Sequence, residues 1–109
     1  MSSIDWKKRI ILIDFQKAES QAPVQNINLK NKIVKALKVD FTNINLELEF
    51  IYKLLSDKQT VLIKATLEGY TLKEIQKHFY DSYDIIISQA TLSRERNKIY
   101  KFIAKLYQQ

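Results

Sequence analysis

The chain has 109 residues, 46% hydrophobic and 11% aromatic, with 18 Lys and Arg against 12 Asp and Glu for a net charge of +6. One domain's worth of sequence with enough apolar residues for a packed core excludes a multidomain enzyme and a largely disordered chain. One Gly, one Pro, no Cys and one His leave no glycine-rich phosphate loop, no disulfide framework, no zinc site and no Cys- or Ser-based triad, so no cofactor is expected.

So few turn-formers predict a mainly α fold, because an all-β chain needs many tight turns. Ser2 or Ser3 can cap a first helix running to about Ser20. Within it Arg9 to Phe15 is an Ile-rich apolar run that reads equally well as a buried strand, able to pair with Asp84 to Ile87. Gln21 to Asn26, with Pro23, reads as a linker. Asn28 then caps a helix over Leu29–Val39, with Leu29, Ile33, Ala36 and Leu37 on one face. Asp40 to Asn43 breaks the pattern. Ile44 to Leu55 resumes it, with Leu46, Phe50, Ile51, Leu54 and Leu55 inward.

The second half carries sharper punctuation. Ser56 and Gln59 form a capping box that opens a helix containing Val61, Leu62, Ala65 and Leu67. Gly69 is placed to end it in the left-handed conformation. Thr71 and Glu74 form a second box, opening a helix to about Tyr80. Ser82 to Ile87 is irregular or a short strand, and Ser88 caps a long helix from Gln89 to about Tyr107. The pattern predicts a helix-turn-helix domain of five to six helices, with an optional short strand that would make it a winged variant. Residues 1–50 form an N-terminal helical region, an arm or a dimerisation element, and residues 51–109 the helix-turn-helix. Both belong to one compact domain.

Charge is unevenly distributed along the chain. Residues 1–39 carry net +5, residues 40–84 net −3 and residues 85–109 net +4. Basic ends favour a polyanion, although a Lys-, Ile- and Asn-rich composition also follows from an AT-rich genome. On the last helix, at about 100° per residue, Leu92, Ile99, Phe102, Ile103 and Leu106 fall within one arc. Thr91, Arg94, Lys98, Lys101 and Lys105 make a second stripe beside it, and Ser93 and Asn97 are expected on its outer flank. Such a face suits a major groove: Arg can bond guanine bidentately, Asn can bond adenine, and Lys neutralises phosphate. The helix start has no acid before Glu95, so its dipole and free amides also favour phosphate.

The string Thr71-Leu72-Lys73-Glu74-Ile75, followed after about ten residues by Ile86-Ile87-Ser88-Gln89-Ala90-Thr91-Leu92-Ser93-Arg94-Glu95, resembles the DNA-binding domain of bacterial arginine repressors. The resemblance covers roughly residues 71–99. It implies that Ser93 and Arg94 contact DNA. The spacing from Leu55 to Leu106 is also similar to phage late regulators and to region 4 of sigma factors. Two departures limit what carries over. After Arg96 the pattern stays helical where the repressors turn into a β-wing, and no second domain for arginine binding and hexamer assembly follows, so arginine control is not implied.

The expected function is therefore sequence-specific binding of double-stranded DNA by a small transcriptional regulator, of chromosomal, phage or plasmid origin, and not an enzyme. The expected DNA-binding residues are Lys73, Gln89, Thr91, Ser93, Arg94, Asn97, Lys98 and Lys101. A homodimer is expected, because one helix reads few base pairs and residues 29–55 offer apolar surface for an interface. No signal-peptide core follows Lys7-Lys8-Arg9 and no apolar run approaches about 20 residues, so a cytoplasmic protein without a membrane partner is expected. Other readings of the same residues stay open. The basic stripe is also what an ordinary solvated face looks like, and the same fold could bind RNA polymerase or a phage or plasmid assembly partner. Residues 89–109 have the amphipathicity of a membrane-surface helix, although packing on residues 55–80 accounts for their apolar face. Lys7-Lys8-Arg9 fits an arm or an exposed helix start. His78 reads as a surface or half-buried residue, Asp81 and Asp84 as loop polarity beside a helix end, and Tyr70, Tyr80, Tyr83, Tyr100 and Tyr107 as core edges.

Overall fold

The structure is a computed structural model and describes residues 24–108. The helix expected up to Ser20, its strand alternative over 9–15 and the basic stretch Lys7–Arg9 lie outside the described residues. Within them the chain is mainly helical, and no strand occurs among the described residues. The helices are α1 (24–37), α2 (Leu48–Leu54), α3 (Asp57–Leu67), α4 (Leu72–Tyr83) and α5 (Gln89–Tyr107). Helices α3, α4 and α5 pack against one another in all three pairings.

Local chemistry sets the starts of α3, α4 and α5. The Ser56 hydroxyl accepts the Gln59 amide at 3.2 Å while the Ser56 amide donates to Gln59 Oε1 at 2.9 Å. Thr71 and Glu74 repeat this at 3.2 and 2.9 Å. Ser88 Oγ accepts the Thr91 amide at 3.0 Å. Each cap satisfies donors that a helix start leaves without partners. Gly69 follows α3 with φ +93°, a conformation that an L side chain adopts only under strain. Asp84 ends α4 in the left-handed region at φ 55°, so α4 runs through Tyr83, past the end expected near Tyr80, and Ser82 and Tyr83 are helical and not part of an irregular segment or strand. Residues 85–88 then run without helix or strand: the Ile85 amide donates to Phe79 O at 3.1 Å, and Gln76 Nε2 donates to Ile87 O at 2.9 Å. The connection therefore folds back along α4 and delivers the start of α5 beside Gln76.

The amino-terminal region is built differently. Residues 24–26, expected as linker, are already helical, and Asn28 sits inside α1 and does not cap it. The composition reads as loop because these polar residues find partners far along the chain. Gln25, which is buried, donates from Nε2 to Glu68 Oε1 at 3.4 Å, and Asn26 Oδ1 accepts the Leu48 amide at 3.3 Å. Residues 44–47 are not helical, so α2 is shorter than the hydrophobic pattern implied. Phe50 and Leu54, expected inward, are each 46% exposed. Ala36, assigned to the inward face of α1, is also exposed. The α1–α2 loop is pinned by Phe41, which is fully buried. Its neighbour Asp40 accepts from the Thr42 hydroxyl and from the Thr42 amide, and these bonds hold the Asp40 carboxyl below its ordinary value.

One core joins both regions, with Leu29, Ile33, Phe41, Ile51, Ile63, Ile75, Leu92, Ile99 and Ile103 at its centre. On α5 the inward arc differs from the expected one. Tyr100 and Ala104 are buried, whereas Phe102 is 42% exposed and Leu106 only half-buried. The cause lies outside α5. Tyr107 sits seven residues beyond Tyr100, on nearly the same stripe, and its hydroxyl accepts the Glu47 amide at 3.2 Å. The segment entering α2 thus closes over that side of the carboxy-terminal half of α5.

Candidate nucleic-acid interface

Helix α5 is unequally embedded along its length. Over 89–98 Leu92 is the one buried residue, whereas Ile99, Tyr100, Ile103 and Ala104 are buried within the next six positions. The amino-terminal half of α5 is therefore less deeply embedded, with Thr91, Ser93, Glu95 and Arg96 half-buried around Leu92. Arg94, Asn97 and Lys98 are exposed there, and the exposed Lys101 and Lys105 continue the row into the second half. At about 100° per residue these side chains share the face away from Leu92, Ile99 and Ile103. The first turn of α5 holds no acid, unlike those of α3 and α4, which contain Asp57 and Glu74.

Among the expected residues, Arg94, Lys98 and Lys101 come together on this face with Asn97 at its edge. Ser93 departs from expectation. It is half-buried and lies seven residues before Tyr100, so it flanks the packed side of α5 and not the side opposite the core. Sequence periodicity misplaced it because the predicted arc reached towards Phe102 and Leu106 and left out Tyr100 and Ala104, which are buried on the Ser93 side. Lys98 Nζ lies 3.5 Å from Glu95 Oε1, with side-chain exposures of 71% and 40%. A pair that open to water contributes little and leaves Lys98 able to turn to another anion.

Thr91 and Arg94 are linked. Thr91 Oγ1 accepts from the Ser88 hydroxyl at 2.9 Å and from Arg94 Nη2 at 3.1 Å. The guanidinium is thereby drawn towards the start of α5. Gln89 is exposed at that start and donates from Nε2 to Gln76 Oε1 at 3.4 Å. Lys73 lies on α4 and lines a shallow groove with Gln76, Lys77, Tyr80 and Ile85 to Ile87. Gln76 thus joins the α4 groove to the start of α5.

Several contributors were missed by sequence reasoning. Lys77 falls one turn after Lys73 on the same exposed face of α4, a spacing that periodicity could have found. Gln76 needed the fold-back of residues 84–88 to acquire its role. Arg96 sits at a core-facing position seven residues before Ile103, yet is only half-buried because α5 is uncovered there. Its charge lies close enough to Tyr100 to offset part of the upward push that burial gives the Tyr100 phenol.

The remaining candidate chemistry resolves into structure. His78 approaches Ser82 Oγ at 3.4 Å through Nδ1 and the Tyr83 hydroxyl at 3.3 Å through Nε2, and stacks edge-on with Tyr83. Of the tyrosines expected at core edges, Tyr83 and Tyr107 are half-buried, Tyr100 is buried, and Tyr70 and Tyr80 are exposed. Among the described residues no group of three or more His, Asp or Glu is placed to hold a metal ion. No described helix is long and apolar enough to cross a membrane. Comparison with known proteins finds no matching family model, no matching curated protein and no matching solved structure.

Proposed function

We propose that this chain is a sequence-specific double-stranded DNA-binding protein, a small regulator of transcription in the cytoplasm that places the amino-terminal half of α5 in a major groove. The observation that carries the reading is the lighter embedding of residues 89–98, which hold a single buried residue, Leu92, and present Arg94, Asn97 and Lys98 on their exposed face. A helix about 10–12 Å across fits a groove about 12 Å wide only where its flanks are uncovered. In this reading α3, α4 and α5 form the helix-turn-helix unit. Arg94 and Asn97 face base edges, with half-buried Ser93 at the margin. Lys98, Lys101, Lys73 and Gln89 meet the backbone, and Thr91 sits at the groove entrance. Most apolar residues of 29–55 are consumed by the core, so the surface left for a homodimer narrows to Phe50 and Leu54 on α2.

A mobility shift against a pool of random duplexes, at salt between about 50 and 200 mM, tests the reading through the steep loss of affinity expected for several phosphate contacts. Arg94→Ala should cost about 1–3 kcal/mol on a preferred duplex and relax selectivity. Lys101→Ala should weaken all duplexes alike and lower the salt slope by about one. Duplex binding that is absent, or indifferent to salt, sinks the proposal.

A second reading is favoured by one specific feature. Ile86 is 88% exposed and Tyr80 57% exposed beside the Lys73–Lys77 groove, a combination that would suit a protein partner such as RNA polymerase or a phage or plasmid assembly component. Binding that survives high salt and is lost in Ile86→Asp would support it.

A further inference from the structure

The Ser88–Thr91–Arg94 chain of hydrogen bonds does more than cap a helix. The cap itself is the Thr91 amide donating to Ser88 Oγ at 3.0 Å, and it uses no side-chain atom of Thr91. The Thr91 hydroxyl oxygen spends both its acceptor positions elsewhere, on the Ser88 hydroxyl at 2.9 Å and on Arg94 Nη2 at 3.1 Å. Ser88 Oγ in turn is held by the backbone of the helix it caps. The chain therefore runs from a fixed backbone amide to an exposed guanidinium. Thr91 is anchored at its own end too. It is half-buried and lines the groove between the start of α3 and α5 with Leu92, Ile87 and Gln59, and its β-branched side chain has restricted rotation about χ1.

An exposed arginine has many rotamers, and ordering it on binding costs affinity and blurs which base it meets. Glu95, the nearest acid in sequence, lies with Lys98, so Thr91 is the contact that directs Arg94. Only one Nη2 hydrogen is used. The guanidinium keeps further N–H donors for a bidentate contact with a planar acceptor edge.

We propose that Thr91 is a positioning residue for Arg94, holding its guanidinium towards the amino-terminal turn of α5 so that this one arginine selects a guanine-type edge at a fixed place. This rests on the DNA-binding reading above, and assigns Thr91 to selectivity and not to affinity for the backbone. Residues such as Lys98 and Lys101 act on every duplex. The Ser88–Thr91–Arg94 chain acts on the difference between duplexes.

The test uses the full chain with three variants: Thr91→Val, which keeps size and branching and removes the hydroxyl, Thr91→Ser, which restores it, and Arg94→Ala. Binding is measured to a duplex selected from a random pool by the parent protein and to the unselected pool. Thr91→Val should lower the ratio of selected to unselected affinity about 3- to 10-fold, the scale of ordering one rotamer-rich side chain. Affinity for the unselected pool should fall by less than affinity for the selected duplex, and the thermal midpoint reports that the fold is kept. Thr91→Ser should recover most of the ratio, and Thr91→Val should add nothing to Arg94→Ala. Nitrogen-15 NMR of the free protein gives a readout without DNA: the Arg94 guanidinium signals should shift and sharpen towards those of a freely rotating side chain in Thr91→Val. A parent that prefers no duplex overturns the DNA reading and this proposal with it. A parent with a clear preference that Thr91→Val retains overturns the positioning role alone. So does an Arg94 signal unmoved by the substitution, or a Thr91→Val loss that Arg94→Ala fails to mask.

Discussion

Residues 24–55 and residues 56–108 meet the same requirement in opposite ways. Every helix start exposes amides that need acceptors. In the carboxy-terminal region α3, α4 and α5 satisfy them locally, through Ser56, Thr71 and Ser88 acting within three residues. In the amino-terminal region α2 has no side-chain cap of its own. Its first amides go instead to Asn26 of α1 and Tyr107 of α5, at 3.3 and 3.2 Å. A seven-residue helix without a local cap is too short to persist alone. Its start is held by α1 and α5. The carboxy-terminal region takes its helix caps from neighbouring residues, and α2 of the amino-terminal region takes its own from distant ones.

The sharpest way to break that comparison is Phe41→Ala. Phe41 is 1% exposed and anchors a loop that has no helical bonds of its own. The substitution should cost about 3–5 kcal/mol in chemical denaturation. A cost below about 1 kcal/mol would mean that the amino-terminal region is a loose appendage and not part of the common core. Gly69→Ala comes next. An added Cβ would meet nothing within 4 Å, so the penalty is purely that of φ +93°, about 1–2 kcal/mol.

Two cap substitutions sharpen the contrast between local and distant partners. Thr71→Ala removes a local cap and should cost about 1 kcal/mol, with loss of amide protection confined to the first turn of α4 in hydrogen exchange. Asn26→Ala removes a distant cap at a cost of about 0.5–1.5 kcal/mol, and protection should fall in both α1 and α2. If Asn26→Ala loosens α1 alone, the start of α2 is held by something else.

The smallest expected effect is on the alkaline limb of stability. Burial raises the Tyr100 phenol above its ordinary value of 10.0, with Arg96 partly opposing. The unfolded chain therefore loses that proton first as pH rises. The stability tied to the neutral phenol is complete below pH 10.0 and declines as pH climbs through the raised folded value. Tyr100→Phe should flatten that decline and change stability at neutral pH by no more than about 0.5 kcal/mol. An unaltered alkaline slope in thermal melts would show that Tyr100 is not among the groups responsible.

Legibility in the sequence followed the same division. The Ser56 and Thr71 boxes, the Gly69 stop and the Ser88 cap are events within a few residues, so the primary pattern located α3 to α5 and gave α5 its bounds. Gln25, Asn26 and Asn28 read as linker and cap because their partners, Glu68 and Leu48, are far along the chain. In the candidate site, Arg94, Lys98 and Lys101 were legible from helical spacing, which needs nothing but the geometry of one helix. Ser93, Arg96 and Gln76 were not, since their exposure depends on which part of α5 the other helices reach.

By itself, then, the sequence determined a mainly helical chain, the starts of its last three helices, the ends of α3 and α5, and a cationic row on the last of them. These depend on caps, a positive-φ glycine and a 3.6-residue period, all of which act over short stretches of chain. Tertiary structure alone decided that Tyr100 and Ala104 face the core in place of Phe102 and Leu106. It also decided that α2 borrows its cap from α1 and α5, and that residues 89–98 are less deeply embedded than 99–107. Burial is a property of which surfaces meet, and where Glu47 comes to lie against Tyr107, 60 residues away, is written in no local window of the chain.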